Sequence, residues 1–347
     1  MNFNIILTSK CNLKCKYCYE GHDKSHKDMS IDTASKVIDF IVKTLCSRNE
    51  TDRMHKVVFH GGEPFLNYEL MKFIKYKLDK KVNQIYNISY MATTNGTILN
   101  DEIIEFIKKN NIFLSISIDG TKEMHDKNRI YQDGTGSYAI MRKNLDKLKK
   151  QGLLGRARMT YNSSNVSTLH EGIINISDLG FDLCVPAADF YDTGWNEGKI
   201  DILEKEIDKI INDENLKNIS ISMVNKQLLC KEKSDCFGGI TSITISEDGN
   251  LYPCLYTLGE KKFVIGNIID DEIVDKNKIK KVFKEITSES NDCNSCNAQK
   301  YCFGNQCKLL NYMVTGKYNT PPSINCRLME VELNTYKKLK KGSLENA

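Results

Sequence analysis

Cysteine constrains this chain more than any other residue type, because eleven of its thirteen cysteines fall into two groups. The first group lies near the amino terminus and consists of Cys11, Cys15 and Cys18. The second group lies toward the carboxyl terminus and consists of Cys230, Cys236, Cys254, Cys293, Cys296, Cys302, Cys307 and Cys326. Three thiolates can hold a four-iron, four-sulfur cluster through three of its irons, which leaves the fourth iron open to a ligand. The other eight cysteines are enough for two further, fully ligated clusters.

Length and composition indicate a globular chain. Hydrophobic residues make up 40% of its 347 residues and charged residues 27%, which suits one large or two modest domains. The formal charge is +4 without a long run of one sign, so neither a nucleic-acid nor a membrane partner is predicted. No signal peptide or apolar run of membrane-spanning length is present. We therefore expect a cytoplasmic protein whose clustered cysteines bind metal or act in catalysis.

Short strand-like segments alternate with longer helix-like segments through the first half of the chain. The expected strands are residues 3–8, 56–59, 88–93, 112–118, 157–161 and 181–185. The expected helices are residues 31–45, 68–80, 101–109, 138–150 and 168–179, with Asp32 and Asn100 at two N-termini. Strict alternation predicts a parallel sheet. The expected fold is therefore α/β, a partial (β/α)6 barrel of the TIM type.

Polar or glycine-containing segments follow the first four expected strands. Cys11 follows the first strand, and residues 60–64, 94–96 and 117–120 follow the next three. The carboxyl ends of the strands in such a barrel meet at one rim, where the active site lies. The sequence therefore predicts that these four segments form one site.

Beyond residue 190 the pattern changes. A charged helix is expected near residues 200–212 and a hairpin at 242–246 and 251–253. Residues 292–327 are too polar and irregular for an ordinary core, so we expect metal ligation to stabilise them. The two remaining cysteines, Cys46 on a helix and Cys184 in a strand, are expected in the core.

The segment CNLKCKYC at residues 11–18 resembles the radical S-adenosylmethionine superfamily through its CxxxCxxC spacing. The resemblance implies that the three cysteines bind a 4Fe-4S cluster and that its open iron chelates S-adenosylmethionine. Reductive cleavage of this cofactor then yields a 5′-deoxyadenosyl radical. Tyr17 is implied as a cofactor contact. From the spacing alone, a zinc site or three buried thiols is the alternative.

Further segments are similar to the cofactor-binding parts of that superfamily. The tetrapeptide GGEP, which binds the methionine amino group there, is matched by Gly61, Gly62, Glu63 and Pro64. The other implied cofactor contacts are Thr94, Asn95, Ser117 and Arg129. Arg129 would pair with the cofactor carboxylate, although an arginine in a polar loop is usually solvated. His60 is either a substrate contact or a strand-end histidine with structural partners.

The carboxyl-terminal cysteines resemble the SPASM domain of radical enzymes. By this resemblance one auxiliary cluster is held by Cys230, Cys236, Cys254 and Cys307. A second is held by Cys293, Cys296, Cys302 and Cys326, which makes three 4Fe-4S clusters in all. Four residues separate Cys302 from Cys307, where the family usually has three. A pair of zinc ribbons is the alternative.

The two resemblances imply a radical barrel over residues 1–190, a bridging segment over 191–224, a SPASM domain over 225–330 and a tail over 331–347. The leading hypothesis is a peptide maturase that forms a thioether or carbon-based crosslink in a ribosomally made precursor peptide. Two complete auxiliary clusters suit it, since crosslinking removes two electrons from the substrate. A flavodoxin or ferredoxin is expected as reductant. No leader-binding domain precedes the first expected strand, so we expect the leader to be recognised by the barrel, by the bridge around residues 190–211 or by a separate leader-binding protein.

Two other functions remain as alternatives. One is an anaerobic sulfatase-maturating enzyme, which oxidises a Cys or Ser to formylglycine. That family carries an Asp directly after the cysteine corresponding to Cys254, whereas this chain has Leu255, which cannot accept a proton. The other is an iron–sulfur electron carrier without catalysis of its own.

Overall fold

The structure is a computed structural model that describes residues 1–18, 20–21, 26–82, 85–225, 227–229, 231–232, 236, 238–270, 274–288 and 293–345. Its strands are β1 (Asn2–Ile6), β2 (Met54–His60), β3 (Asn87–Thr94), β4 (Phe113–Ser117), β5 (Arg156–Tyr161), β6 (Leu183–Ala188), β7 (Ser220–Ile221), β8 (Ser242–Ile245), β9 (Asn250–Tyr252) and β10 (Gly266–Asn267). Its helices are α1 (Ile31–Arg48), α2 (Tyr68–Val82), α3 (Asp101–Lys109), α4 (Lys122–Asn128), α5 (Tyr138–Lys150), α6 (Leu169–Asp178), α7 (Glu197–Asn212), α8 (Lys276–Ser288), α9 (Phe303–Gln306), α10 (Lys308–Thr315) and α11 (Ser323–Glu345).

One sheet contains all ten of these strands, in the order β10-β9-β8-β1-β2-β3-β4-β5-β6-β7. Strands β1 to β6 are parallel and follow each other in chain order, with helices in the connections, which confirms the expected barrel-type α/β fold. The carboxyl-terminal part of the chain joins the same sheet, because β8 pairs in parallel with the free edge of β1. The expected hairpin is also present as the antiparallel pair β8 and β9.

The side chains of neighbouring strands alternate between two environments. Phe3 and Ile5 of β1 lie beside Val57 and Phe59 of β2, and all four are fully buried in the main hydrophobic core. The residues that alternate with them along the strands, such as Asn4 and His60, face a cavity on the other side of the strands. This period of two places apolar groups under the helices and polar groups inside the barrel.

Helix starts follow the expected capping chemistry at one site and depart from it at another. Asn100 caps α3, and its side-chain oxygen accepts a hydrogen bond from Ile103 N at 2.8 Å. The expectation for Asp32 was wrong, because Ser30 caps α1 and accepts from Thr33 N at 3.0 Å. Asp32 lies instead in the first turn, where a carboxylate favours the positive end of the helix dipole.

One of the two cysteines expected in the core is not there. Cys184 on β6 is fully buried, as expected, but Cys46 is exposed. The buried face of α1 includes Ile41 and Leu45. Cys46 follows Leu45 and is rotated about 100° from it around the helix axis, which turns it away from that face.

The carboxyl-terminal region contains more regular structure than expected. Residues 292–327 include helices α9 and α10 and the start of α11, and Leu309 and Tyr318 form a buried cluster with Tyr252 and Phe263. The expectation that this segment lacks ordinary core packing was therefore wrong, because Leu309 of α10 and Tyr318 after that helix pack against Tyr252 and Phe263.

The expected tail is also helical. Helix α11 runs across the expected boundary at residue 330 and packs along α7. Arg327 contacts Glu197 at 2.5 Å and Lys338 contacts Asp208 at 2.6 Å across this pair of helices. None of the described helices combines the length and the apolar character needed to cross a membrane. The expected division into domains stays a prediction.

Two glycines between α5 and β5 allow a test of the backbone packing. Gly152 and Gly155 have φ of +68° and +66°, but only Gly155 has a neighbour in its way: an added Cβ would lie 2.2 Å from Leu114 O. Gly152→Ala should cost about 1–2 kcal/mol for the left-handed backbone alone. Gly155→Ala should cost about 2 kcal/mol more, because β4 and β5 must also separate. Urea unfolding of the two variants measures the difference, and equal losses would contradict it.

Candidate functional site

The amino-terminal cysteine loop lies along the segment that follows α4. Lys14 N donates to Ile130 O at 2.7 Å, and Lys16 N donates to Asn128 O at 3.0 Å. These backbone bonds hold the loop over the carboxyl ends of the parallel strands. The side chains of Cys11, Cys15 and Cys18 all line one cavity of ≈ 620 Å³ at that rim.

The two glycines of the GGEP segment allow its backbone to pass directly against the start of the cysteine loop. Gly62 N donates to Thr8 O at 3.0 Å, and Glu63 N donates to Lys10 O at 2.9 Å. A Cβ on Gly61 would lie 2.3 Å from Thr8 O, and one on Gly62 would lie 2.3 Å from Lys10 O. Only glycine permits this approach. Both glycines also line the cavity.

The carboxylate of Glu63 is fully buried and engaged by the protein itself. Its Oε1 accepts from Thr94 Oγ1 at 2.8 Å and from Phe65 N at 3.2 Å, and its Oε2 accepts from Asn95 N at 2.7 Å. Burial raises the pKa of Glu63 to about 7, and the three donors oppose that rise. Neither Glu63 nor Pro64 is among the residues that line the cavity. Glu63 therefore joins the ends of β2 and β3, and its expected contact with the cofactor stays a prediction.

Asn95 connects the end of β3 to the cysteine loop. Its Nδ2 donates to Asn12 Oδ1 at 2.9 Å, and its Oδ1 accepts from Thr97 N at 2.9 Å and from Thr97 Oγ1 at 2.6 Å. Asn12 Nδ2 donates in turn to Thr97 Oγ1 at 2.8 Å. Asn95 and Thr94 both line the cavity, next to Cys11. Asn12 lies within the cysteine segment and Thr97 directly follows Gly96, but neither was among the expected site residues.

Arg129 is buried in an ion pair, so the alternative of a solvated loop residue is wrong, and its expected contact with the cofactor stays a prediction. Asp119 is fully buried, and Arg129 approaches it with Nε–Oδ2 at 3.1 Å and Nη2–Oδ1 at 3.2 Å. The Tyr17 hydroxyl donates to the same carboxylate, and the Arg129 guanidinium lies 5.2 Å from the centroid of the Tyr17 ring. Burial raises the pKa of the Cys15 thiol, and the Arg129 cation opposes that rise. The group thus joins the cysteine loop to the end of β4.

Other polar residues line the interior of the cavity. His60 is kept uncharged because burial and the Arg156 cation lower its pKa to about 4. Ser117 lines the cavity as expected. Arg156, Arg158 and Asp189 line it too. The sequence analysis missed these three, because a strand pattern alone does not show which of its two faces encloses a cavity.

The described carboxyl-terminal cysteines come together in two sets. Burial raises the pKa of Cys307 to about 12, and the nearby thiols of Cys254 and Cys236 add to this effect. Cys230, the expected fourth member of this set, lies outside the described residues.

The second set has all four of its expected members. Burial raises the pKa of Cys293, and the thiols of Cys302, Cys326 and Cys296 raise it further. Cys302 and Cys307 belong to different sets and lie at the two ends of α9, so the four residues between them form one helical turn.

The described cysteines form neither disulfides nor a preformed site for a single metal ion. None of the twelve described cysteines is in a disulfide. Within the described ranges, no three His, Cys, Asp or Glu side chains converge closely enough to hold one metal ion. A zinc ion draws all its ligands to about 2.0–2.3 Å from one point. A cluster instead takes each thiolate on a different iron, and the assignment of the two sets to clusters stays a prediction.

The first auxiliary set borders the cavity. Leu255 and Tyr256 directly follow Cys254, and both line the cavity that the amino-terminal cysteine loop also lines. Burial raises the pKa of Tyr256 to about 12, and the nearby thiols of Cys307 and Cys254 raise it as well. The cavity therefore lies between the cysteine loop and the set that contains Cys254.

Two family models match the chain. The model described as the radical SAM superfamily matches residues 5–165, and the SPASM model, described as an iron–sulfur cluster-binding domain, matches residues 236–297. An uncharacterized protein of Methanocaldococcus jannaschii is 31% identical over 280 residues, which are 79% of this chain and 89% of that protein.

Relatives with a described activity are also similar. A cysteine-type anaerobic sulfatase-maturating enzyme of Clostridium novyi is 27% identical over 85% of this chain and 84% of its own length. AlbA of Bacillus subtilis, a biosynthesis protein of the antilisterial bacteriocin subtilosin, is 27% identical over 76% of this chain and 56% of its own length. The solved structure of anSMEcpe with bound AdoMet and a peptide has a TM-score of 0.79 at 19% identity, over 100% of this chain and 99% of that one.

The buried pair of Arg129 and Asp119 should contribute far more to stability than an exposed pair of the same kind. Arg129→Gln leaves a fully buried carboxylate without its cation and should cost about 3–5 kcal/mol. Arg142→Gln is the control, because Arg142 and Asp146 form an exposed pair at 3.1 Å, and it should change stability by about 0.5 kcal/mol or less. Urea unfolding measures both losses. Similar small losses in the two variants would show that the buried pair is unimportant.

Proposed function

Because the chain belongs to the radical S-adenosylmethionine superfamily and carries a SPASM domain, we propose that it is a peptide maturase that forms a thioether or carbon-based crosslink in a ribosomally made peptide. The bound cofactor supplies a 5′-deoxyadenosyl radical, which abstracts hydrogen from the peptide. The observation that carries this proposal is the cavity between two sets of cysteines. It is large enough for a cofactor and part of a peptide, since ligand pockets of about 300–1,000 Å³ hold drug-sized molecules.

We assign the amino-terminal end of the cavity to the cofactor. Cys11, Cys15 and Cys18 would hold the cluster with the open iron. The cofactor contacts proposed on the cavity wall are Tyr17, Gly61, Gly62, Thr94, Asn95, Ser117 and Arg129. The backbone carbonyl groups of the two glycines are suited to accept from the methionine ammonium, since glycine has no side chain that would cover the backbone. Glu63 and Pro64, the other residues of the GGEP segment, belong to the same proposed cofactor contact.

The two carboxyl-terminal sets would hold the auxiliary clusters, which brings the proposed total to three 4Fe-4S clusters. Cys230, Cys236, Cys254 and Cys307 are assigned to the first, and Cys293, Cys296, Cys302 and Cys326 to the second. The first set lies behind the Leu255 and Tyr256 wall of the cavity. A cluster held beside this wall of the cavity would be well placed to accept an electron from the substrate. A flavodoxin or ferredoxin as reductant and a separate leader-binding protein belong to the same proposal.

Sulfatase maturation is the second candidate. The similarity to the Clostridium novyi enzyme over most of both chains favours it. Against it stands Leu255, which places an apolar side chain on the cavity wall where those enzymes are expected to carry a carboxylate. Asp189 lines the same cavity, so a proton acceptor is nevertheless present. The third candidate, an electron carrier, leaves the polar cavity without a purpose.

Iron analysis tests the assignment of the cysteines. Three clusters predict about twelve irons per chain after anaerobic reconstitution. The double variant Cys254→Ala and Cys307→Ala should lower this to about eight, because the set then keeps only two of its four ligands. Cys46→Ala is the matched control, since Cys46 is exposed and belongs to neither set, and it should keep all of the iron. Zinc in place of iron, or equal iron content in both variants, would contradict the assignment.

A turnover assay under anaerobic conditions tests the reaction. Candidate precursor peptides encoded beside the gene are incubated with the reconstituted enzyme, S-adenosylmethionine and dithionite. We expect 5′-deoxyadenosine together with a peptide that has lost two hydrogens. A sulfatase-type CxPxR peptide is the comparison. An aldehyde in that peptide, with no change in the precursors, would establish the second candidate in place of the first.

A further inference from the structure

A second cavity of ≈ 280 Å³ adjoins the first, on the side of helix α7. Its walls include residues of α7, of the turn after β7 and of α11, besides residues of β5, β6 and α9. Leu203 and Ile207 lie on α7, Met223 lies in the turn after β7, and Leu328 and Val331 lie on α11. The cavity lies where α7 and α11 pack side by side.

The two cavities share part of their lining. Arg158, Ala187, Ala188, Phe190 and Tyr256 line both. Phe190 also stacks on Phe303 of α9, with ring centroids 5.8 Å apart and an angle of 19° between the rings. The second cavity is therefore a side pocket that begins at the carboxyl ends of β5 and β6.

The chemistry of the side pocket differs from that of the main cavity. The main cavity has several charged groups on its walls, whereas the side pocket is lined mainly by aliphatic, aromatic and methionine side chains. An apolar cavity of about 150 Å³ already accommodates benzene. A pocket of ≈ 280 Å³ thus has room for one large apolar side chain and part of the backbone that carries it.

We propose that this side pocket binds a large apolar side chain, aromatic or long aliphatic, of the peptide substrate next to the residue that is modified. The proposal rests on the peptide-maturase function proposed above and adds a requirement on substrate sequence. Arg158 at the junction can donate hydrogen bonds to backbone carbonyl groups of the same peptide. Burial of the apolar side chain supplies affinity, while the polar groups of the main cavity stay available for the reacting residue.

Binding of two small probes tests the pocket without turnover. N-acetyl-phenylalanine amide and N-acetyl-alanine amide are titrated into the anaerobically reconstituted full chain, and ligand-observed saturation-transfer NMR gives their affinities. Burial of the phenyl group should make the first probe bind at least about 10-fold more tightly. Equal affinity of the two probes would overturn the proposal.

Variants that fill the pocket locate the binding. Met223→Trp places an indole in the pocket from one wall and should abolish the preference for the phenylalanine probe. Leu328→Trp does the same from α11 and serves if the first variant does not fold, as judged by circular dichroism. Met54→Trp is the control, because Met54 is exposed at the start of β2 and lines neither cavity. A preference that survives in both filled variants would refute the pocket.

The test distinguishes this inference from the proposed function. If the function fails, no candidate peptide is modified although the phenylalanine probe still prefers the unfilled pocket. If the inference fails, modified peptides form equally well whether the residues beside the modification site are alanine or large and apolar. A rate at least about 10-fold higher with a large apolar neighbour, lost in Met223→Trp, supports both.

Discussion

The close backbone contact between the cysteine loop and the end of β2 is the constraint on which the site depends. Residues 8–10 and 61–63 pair through Thr8 O and Lys10 O, and a side chain on Gly61 or Gly62 would push them apart. Since β1 leads directly into the loop, the register of β1 on β2 also places Cys11. Strand pairing in the core thus determines where the first thiol lies.

Two polar groups extend this constraint around the rim. Glu63 accepts hydrogen bonds from the end of β3, and the buried pair of Asp119 and Arg129 joins the end of β4 to Cys15 and Tyr17. Each of these buried groups makes several hydrogen bonds or ion-pair contacts in place of the water molecules it has lost, and a buried charge requires such partners. The same groups would fix the cofactor geometry. An enzyme that generates a reactive radical benefits from such rigidity, because a cofactor held in one position can react with few groups other than the substrate.

The carboxyl-terminal half closes the cavity from the other side. Strand β8 extends the sheet at β1, and α11 packs against α7. These contacts bring Leu255 and Tyr256 to the main cavity and form the apolar side pocket beside it. In the proposed function, substrate selection and electron transfer would depend on the docking of this half, whereas cofactor binding would depend on the strand ends of the first half.

Local pattern by itself determined the parallel strands, the helices between them and the identity of the cysteine groups, because periodicity and cysteine spacing are properties of neighbouring residues. It also identified Asn100 as a helix cap, but it misplaced Cys46, whose orientation depends on where the buried stripe of α1 ends. Only the tertiary structure decided that Glu63 is shielded, that Arg129 pairs with Asp119, and that Asp189 and Arg158 face the cavity. These features arise between segments far apart in sequence, and their energies depend on distance and burial, which no local pattern contains.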